Sequence, residues 1–418
     1  MGQTITEKIL SRVLGRSVSA GEIVHPVPEL MTVHDWYVVN FDKVLQEFGV
    51  TKLFDPDRVL ISTDHEPVAV TPLSSERQKR VREIVAKYGI KHFYDVGRGG
   101  LGHIFPVEEG LVRPGMFVMA YDVHVTNFGA VGVLAIPVVV EIPEVLALGS
   151  VWLRVPETVR VNLSGRLKAG TSVRDVNQKL IADLGDALVD YTVVEFGGPG
   201  MSAIDISGRH TLCNTPIDIG AKSALVEPDA VIRDYVAQVY AGPIDMVASD
   251  ADANFRDVVE YDLSDIGPQV AIPPTPDKVV GIATVLGRTI HHAFVGSCAS
   301  GNLPDLRDAA RVLAGRKVAP NVRLYVTPAT QNVARAAARE GLMEIFHEAG
   351  AVMTAPGCGP CAGGRIGALA EGETSINTGT RNDYGRLVAK TAEIYLASPL
   401  TVAASAVEGK IADPRRYC

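Results

Sequence analysis

Apolar side chains recur at helical spacing in two segments near the start of the chain. Residues 4–14 and 75–88 each space their apolar positions three or four residues apart, with charged residues between them, which is the pattern of an amphipathic helix. Short unbroken apolar runs at 59–61, 116–119 and 135–140 are typical of buried strands. Strands that alternate with helices through glycine-rich connections predict an α/β architecture.

Two changes in this pattern divide the chain. Residues 151–161 lead into the alternating sequence Val159-Arg-Val-Asn-Leu163, and four prolines crowd residues 266–278, which is typical of a linker. Beyond that linker, two segments rich in Ala and Arg, 305–313 and 332–344, indicate helices. The sequence therefore predicts three α/β domains, which comprise residues 1–155, 156–272 and 273–418.

Composition narrows the class of protein. A chain of 418 residues, 47% hydrophobic and 21% charged, suffices for a large core spread over two or three domains. Its net charge of −8 gives no sign of the basic stripe that binds nucleic acid. The apolar stretch 134–148 is broken by two prolines and two glutamates and is too short to span a bilayer. We expect a cytoplasmic protein that binds neither nucleic acid nor membrane.

Three of the five cysteines stand in contexts that suggest metal chemistry. Cys298 follows Val295-Gly-Ser, and Cys358 and Cys361 form a C-x-x-C among glycines and prolines. So few cysteines in a long chain indicate a reducing compartment rather than a disulfide framework. A structural zinc ion and a closed iron–sulfur cluster are each coordinated by four protein ligands. Three thiolates on a four-iron cube leave one iron open, and that iron can bind substrate as a Lewis acid.

Two other interpretations of the thiols stay open at this point. One is a redox-active C-x-x-C, and the other is a structural zinc site built from three cysteines and one histidine. Cys213 is typical of a buried small hydrophobe, and the terminal Cys418 is given no role.

The flanking motifs carry a resemblance to a known family. Val295-Gly-Ser-Cys298, Asp305-Leu-Arg307 and Gly357-Cys-Gly-Pro-Cys361 resemble the cluster-binding signature of the aconitase superfamily, and they are most similar to that of 3-isopropylmalate dehydratase large subunits. In combination these motifs are far more specific than any single Asp-His pair. The likeness extends over essentially the whole chain, through Met1-Gly-Gln-Thr-Ile-Thr-Glu-Lys-Ile9, Thr63-Asp-His65, Asp122-Val-His124, Val194-Glu-Phe196, Gly220-Ala-Lys222 and Arg381-Asn-Asp-Tyr-Gly-Arg386.

The resemblance implies an architecture and a cofactor. It implies a three-domain aconitase-like core with a 4Fe-4S cluster at the domain interface, held by Cys298, Cys358 and Cys361 and keeping one open iron. Single-chain aconitases continue into a fourth, swivelling domain, for which this sequence leaves no room before it ends at Cys418. We therefore expect a separate small subunit that carries the swivelling domain and completes the active site.

Histidine–carboxylate pairs supply the acid–base candidates. Removal of water from a 2-hydroxy acid needs a base for a weakly acidic proton and an acid for the departing hydroxide. We expect His103 to pair with Glu195, and Asp122 to pair with His124. The alternatives without a catalytic role are that an Asp-His pair is a surface pair and that Glu195 is an ordinary strand-end carboxylate. By resemblance, the catalytic and proton-network positions are Asp64, His65, His103, Asp122, His124 and Glu195.

Departures from the family pattern bear on the substrate. Val123 stands where the family commonly has a serine, and Thr380 stands where it has an asparagine near the cluster. An apolar residue beside the substrate disfavours a third carboxylate, whose charge would lack a partner. This favours a malate-type acid. By resemblance, the substrate-binding positions are His34, Val123, Arg381 and Arg386.

The sequence thus predicts the large catalytic subunit of an iron–sulfur hydro-lyase, similar to 3-isopropylmalate dehydratase, that reversibly dehydrates a small 2-hydroxydicarboxylate. Alternatives with the same chemistry are the large subunits of a maleate- or citraconate-type hydratase and of a dimethylmalate dehydratase. An alternative of another class is an iron-sensing RNA-binding protein, against which the lack of a basic patch and the histidine–carboxylate set both argue.

Overall fold

A computed structural model describes residues 2–418. Its residues form two compact units. Unit 1 comprises the chain up to Asn162 together with Leu188–Glu260, and unit 2 comprises Leu163–Ala187 and Tyr261–Cys418. Within the described part of the chain, no helix combines the length and the apolar character needed to cross a membrane.

The helices and strands alternate along most of the chain. The α-helices are α1 Ile5–Leu14, α2 Asp35–Glu47, α3 Pro72–Tyr88, α4 Phe105–Glu108, α5 Ile142–Leu148, α6 Val173–Val189, α7 Ile206–Asn214, α8 Ala230–Val239, α9 Ser297–Ser300, α10 Leu303–Leu313, α11 Gln331–Arg339, α12 Leu342–Ala349 and α13 Pro399–Glu408. The strands are β1 Ile23–Val24, β2 Leu30–His34, β3 Val59–Ser62, β4 His92–Tyr94, β5 Phe117–Tyr121, β6 Leu134–Pro137, β7 Leu153–Arg154, β8 Glu157–Ser164, β9 Thr192–Gly197, β10 Ser223–Val226, β11 Asp257–Asp262, β12 Gln269–Ala271, β13 Val279–Gly281, β14 His292–Val295, β15 Arg323–Val326, β16 Val352–Met353, β17 Thr374–Asn377 and β18 Glu393–Ala397.

Unit 1 is built on a parallel five-stranded sheet in the order β4-β3-β2-β5-β6. The chain enters this sheet at the central strand β2 and adds β3 and β4 on one side. It then returns to the centre and adds β5 and β6 on the other side. The order therefore reverses between β2 and β5. Connections that leave two neighbouring strands in opposite directions open a crevice at their carboxyl ends, where α/β proteins bind ligands. A second sheet in the order β10-β9-β8-β11 follows in the chain.

Unit 2 repeats this strand order. Its seven-stranded sheet runs β13-β12-β18-β17-β14-β15-β16, and the five strands from β18 to β16 are parallel. Here too the chain starts in the middle, at β14, and the order reverses between β14 and β17. The carboxyl ends of these two strands form the second switch point. Apolar side chains of β14, β15 and β17 are fully buried in the core of this unit.

Helix termini follow local chemistry. α3 begins at Pro72 because Thr71 caps it through a reciprocal pair of hydrogen bonds with Ser74. It ends at Tyr88 because the next residue, Gly89, adopts a φ of 68°, which suits a residue without a side chain. The segment predicted as one helix at 332–344 forms two, α11 and α12, because Gly341 between them adopts a φ of 73°.

The predicted α/β class and the predicted helices at 4–14 and 75–88 are confirmed. The apolar run at 135–140 contributes a strand only as far as Pro137. The division into domains at residues 155 and 272 stays a prediction. Each predicted domain contains most of one sheet, although β12, just before residue 272, pairs with β18 of the predicted third domain.

Candidate active site

In unit 1 several of the predicted site residues lie at or just after the carboxyl ends of parallel strands. β2 ends at His34, β3 is followed by Asp64 and His65, and β5 is followed by Asp122. The loop after β4 carries His103. Because parallel strands present their carboxyl ends at one edge of the sheet, residues far apart in sequence meet at the switch point between β2 and β5.

Asp64 and His65 form the first pair. The Asp64 carboxylate is buried; it accepts hydrogen bonds from the backbone of Gly102 at 2.7 Å and from Ser62 Oγ at 3.2 Å, and His65 Nδ1 lies 2.7 Å from its Oδ1. Burial opposes its ionisation, but the His65 imidazole outweighs that effect and lowers the pKa of Asp64. Burial likewise disfavours charge on His65, yet the Asp64 carboxylate prevails and raises the pKa of His65 to about 9. His65 is therefore an imidazolium at neutral pH.

Asp122 faces three imidazoles. Its Oδ2 lies 3.8 Å from His65 Nε2 and 3.8 Å from His103 Nδ1, and its Oδ1 lies 3.6 Å from His124 Nδ1. The backbone N–H of His124 also donates to Oδ1 at 2.8 Å. Burial alone would raise the pKa of Asp122, but the facing His103 and His124 hold it well below its ordinary value. Asp122 is thus a fixed negative charge at the centre of the group.

His124 has a second carboxylate partner that the sequence analysis missed. Its Nε2 lies 3.3 Å from Asp218 Oδ2, in a short 3-10 helix at Pro216–Ile219. The Asp218 side chain is only 3% exposed. The signal that could have found it is its position two residues before Gly220-Ala-Lys222, a segment that already carried part of the resemblance.

Two imidazoles of the group have nitrogens that no described residue satisfies. His103 Nε2 and His34 Nδ1 are buried and lack a hydrogen-bond partner. Burial lowers the pKa of His103, and burial with the neighbouring charge of His65 lowers the pKa of His34 to about 3. Both rings are therefore neutral at neutral pH, and each keeps a nitrogen available for substrate or water.

Glu195 belongs to a different cluster. It lies within β9, its carboxylate is 2.5 Å from Arg160 Nη1, and it accepts a hydrogen bond from Ser249 Oγ at 2.9 Å. The predicted pair of His103 with Glu195 is wrong, because His103 faces Asp122. Sequence alone places Glu195 at the end of an apolar run but does not show which strand lies beside it. Val123, next to Asp122, is 37% exposed.

The histidine group is better suited to proton transfer than to binding a metal ion. Ligand atoms of His34, His65 and Asp122 lie within 4.8 Å of one another, a spacing compatible with a cation. However, the rings of His34 and His65 are stacked, with centroids 3.8 Å apart and planes inclined by 19°. Lone pairs in two nearly parallel ring planes do not point at one ion, so shared coordination would require a ring to turn.

In unit 2 the cysteines also follow strand ends around a switch point. Cys298 lies in the short helix α9, three residues beyond the end of β14. The residue before it, Ser297, has a φ of 69°, which is unusual for a residue with a side chain. Cys358 and Cys361 follow β16, and Cys361 ends a 3-10 turn. Cys298 and Cys358 are 5% and 9% exposed, and within the described residues none of the five cysteines forms a disulfide. Strain before Cys298 indicates a position held for function rather than for stability.

The loop after β17 contacts the C-x-x-C segment. Arg386 Nη2 lies 3.8 Å from Cys361 Sγ, and the Cys361 thiolate raises the pKa of Arg386 further. Thr380 Oγ1 is 4.0 Å from the same sulfur. A Cβ added at Gly379 would lie 3.6 Å from it, so the backbone approaches the thiolate closely. Arg381 is exposed and pairs with Asp383 at 2.8 Å.

These residues fit an iron–sulfur cluster with three protein ligands. The donors are three soft sulfur ligands, the neighbouring Arg386 stabilises the thiolate form, and the loops around them are glycine-rich. Asn382, in the same loop as Arg386, is fully buried, and neither its amide nitrogen nor its oxygen has a hydrogen-bond partner among the described residues. Because buried amides are normally hydrogen-bonded, the side chain of Asn382 indicates that a further polar group binds beside it.

Comparison with known proteins agrees with these features. The sequence profile of the aconitase family (aconitate hydratase) matches residues 57–409. The 3-isopropylmalate dehydratase large subunit 1 of Methanopyrus kandleri is 40% identical over 418 residues, which is 100% of both chains. The large subunit of the same enzyme from Aquifex aeolicus is 40% identical and covers 99% of this chain and 97% of its own. The crystal structure of Thermococcus kodakaraensis aconitase X (holo-form) is 13% identical, covers 93% of each chain and has a TM-score of 0.49.

Proposed function

This chain belongs to the aconitase family, and we propose that it is the large catalytic subunit of an iron–sulfur hydro-lyase that adds or removes water at a small 2-hydroxydicarboxylate. The observation that carries the proposal is the group of imidazoles around Asp122. It supplies both a cationic acid, His65, and a neutral base, His103, at the same carboxylate. Environments that drive two pKa values apart provide separate acid and base roles in one site.

We propose the following work for the unit 1 residues. His65, held by Asp64, gives a proton to the departing hydroxyl oxygen. His103 and His124, oriented by Asp122 and Asp218, take up and relay protons as water leaves or enters. Burial of these groups excludes bulk water and keeps each proton at a defined nitrogen. His34 lies against His65 and offers its unpartnered Nδ1 to a substrate oxygen.

The aconitase family implies a 4Fe-4S cluster, and Cys298, Cys358 and Cys361 are the residues that would hold it. When bound through three thiolates, such a cluster supplies an open iron that acts as a Lewis acid on substrate oxygens. Arg386 stabilises the Cys361 thiolate. Arg381 is exposed and pairs with Asp383, so it can exchange that partner for a substrate carboxylate.

The substrate class and the partner rest on separate observations. The relatives are named large subunits of 3-isopropylmalate dehydratase, and they match this chain over its full length, so we propose a small-subunit partner. Val123 beside the acid–base group favours a malate-type acid with a hydrogen or alkyl substituent over a tricarboxylate. Isopropylmalate, dimethylmalate, citramalate and malate satisfy this condition.

The test is a dehydration assay on the holoenzyme. The chain is co-purified with its small subunit under anaerobic conditions and assayed against each of these acids by the ultraviolet absorbance of the unsaturated product. We expect turnover of at least one malate-type acid, and none by the Cys298→Ser enzyme. An oxidoreductase or RNA-binding activity from a cluster-loaded protein that dehydrates none of these acids would overturn the proposal.

A further inference from the structure

The ring of His34 lies flat against the ring of His65. Their centroids are 3.8 Å apart and their planes are inclined by 19°. We propose that His34 is a positioning residue: its uncharged ring stacks on the His65 imidazolium, stabilises that cation, and keeps its edge turned toward Asp64 and Asp122. The inference rests on the acid role of His65 proposed above, and it adds a residue that acts through His65 rather than on the proton itself.

The orientation of the His65 ring plane determines whether the imidazole can contact Asp64 and Asp122 at the same time. Nδ1 lies 2.7 Å from Asp64 Oδ1, and Nε2 lies 3.8 Å from Asp122 Oδ2. Both carboxylates are fixed by backbone N–H groups and so do not follow a rotating ring. A tilt of the imidazole out of this plane would lengthen both contacts. The face of the ring, unlike its edge, offers no hydrogen bond, so only a packed neighbour can hold it.

His34 is well placed to be that neighbour. It is the last residue of β2, and its ring is flanked by Tyr121 at 5.1 Å and by Trp36 at 6.4 Å. Trp36 also lies 5.0 Å from the His65 ring. The electron-rich face of an aromatic ring attracts a cation stacked on it. A second positive charge at His34 would instead repel the first across 3.8 Å in a buried site.

The charged and titratable groups that face His65 come from every element around it. They are Asp64 on its own loop, Asp122 after β5, Asp35 at the start of α2, His103 on the loop after β4, and His34 itself. The carboxylates favour the cation on His65, whereas His34 and His103 are neutral and do not compete with it. Substitution at residue 34 should therefore weaken the preference of His65 for its cation by an amount that depends on the new side chain.

The experiment compares four side chains at position 34. His34→Phe keeps a flat π face, His34→Leu and His34→Gln remove it, and His34→Arg adds a charge. The first readout is the titration of His65 by nuclear magnetic resonance on histidine-labelled chain, with the His65 signal assigned from a His65→Gln spectrum. It needs no turnover, so it stands even if the proposed hydro-lyase activity is absent.

We expect the pH midpoint of the His65 titration to stay at the wild-type value in His34→Phe. In His34→Leu and His34→Gln the midpoint should fall by roughly 0.5 pH, and in His34→Arg it should fall by about 1 pH or more. In the holoenzyme, the alkaline limb of the kcat profile should move by the same amounts. Equal midpoints for Phe, Leu and Gln would overturn the proposal. A fall of the His65 midpoint in His34→Phe as large as that in His34→Arg would also overturn it. Thermal melts show whether each variant is folded.

Discussion

His124 Nε2 lies 3.3 Å from Asp218 Oδ2, although 94 positions separate the two residues in the chain. The side chain of Asp218 is buried, so the contact is made away from bulk solvent, where a charge pair is weakly screened. With Asp64–His65 and Asp122–His103, it gives unit 1 a third histidine–carboxylate pair. The nearest carboxylate thus differs for His65, His103 and His124.

Replacing Asp218 should therefore impair turnover. We expect Asp218→Asn to lower kcat by roughly 10²–10⁴, because the amide has no charge to stabilise the His124 cation and can present an N–H donor where the carboxylate only accepts. The double variant with His124→Ala should lose little more than the worse single variant, since the two residues act as a unit. Asp218→Glu, which keeps the charge, is the matched control and should retain most activity. If the kcat losses of the two single variants added fully in the double variant, the contact between Asp218 and His124 would not contribute to catalysis.

Glu195 provides the contrasting prediction. Its carboxylate is neutralised by Arg160 and bonded to Ser249 inside unit 1. Glu195→Gln should leave the alkaline and acid limbs of the kcat profile in place and should mainly lower the melting temperature, because Arg160 would lose one of its two carboxylate partners, Glu195 and Glu227, in a largely buried site. A loss of kcat in the range given for Asp218→Asn, at unchanged melting temperature, would restore the catalytic role that the sequence predicts for Glu195.

These two residues show what the sequence could and could not supply. Asp64, His65 and Asp122 follow apolar runs, and a strand end has a clear local signal, so their meeting at one sheet edge was predictable. Asp218 follows no strand, and its role depends on tertiary contact alone. The His103–Glu195 pair failed because sequence shows the period of a strand but not its neighbour in the sheet. The order of strands, with a switch point in each unit, is likewise not encoded in local hydrophobicity.

The cysteines should be separable by their effect on the cofactor. We expect Cys298→Ser, Cys358→Ser and Cys361→Ser each to abolish iron and acid-labile sulfide in anaerobically purified protein, because a cluster with three protein ligands cannot spare one. Cys213→Ser is the control: this thiol is buried in unit 1, where burial raises its pKa far above the ordinary range, so it is not a thiolate ligand. One zinc ion per chain without sulfide would contradict the cluster.

Arg386 and Arg381 should differ in what they support. Arg386 Nη2 lies 3.8 Å from Cys361 Sγ, whereas Arg381 is exposed and bonded to Asp383. We expect Arg386→Gln to lower cluster content and to speed its loss in air, because the thiolate loses its cation. Arg381→Gln should keep the cluster and raise KM. Cluster content is read from iron and sulfide, and KM from the dehydration assay. Equal cluster loss in both variants would refute this division.

The pair of Arg323 and Glu373 should make stability depend on acid pH. Two hydrogen bonds of 2.8 and 2.7 Å join them, and the Arg323 side chain lowers the pKa of Glu373 from 4.5 to about 2. A lowered folded-state pKa contributes stability above pH 4.5 that is lost as the pH falls through 2. Because Arg323 is 44% exposed, we expect Arg323→Gln to cost only about 1 kcal/mol at pH 7. The melting-temperature difference from wild type should shrink at pH 3; a constant difference would exclude the linkage.

Val123 should restrict the substrate to malate-type acids. It adjoins Asp122 and is 37% exposed, so its apolar side chain can meet a substrate held at the acid–base group. A third carboxylate there would lose water without gaining a partner. We expect citrate and isocitrate to be poor substrates, and Val123→Ser to shift kcat/KM toward more polar acids by about 1–3 kcal/mol. Val123→Thr, similar in volume to valine but hydroxylated, separates polarity from size. If citrate or isocitrate proved best for the wild-type holoenzyme, the specificity argument would fail while the cluster and the histidine–carboxylate pairs would stand.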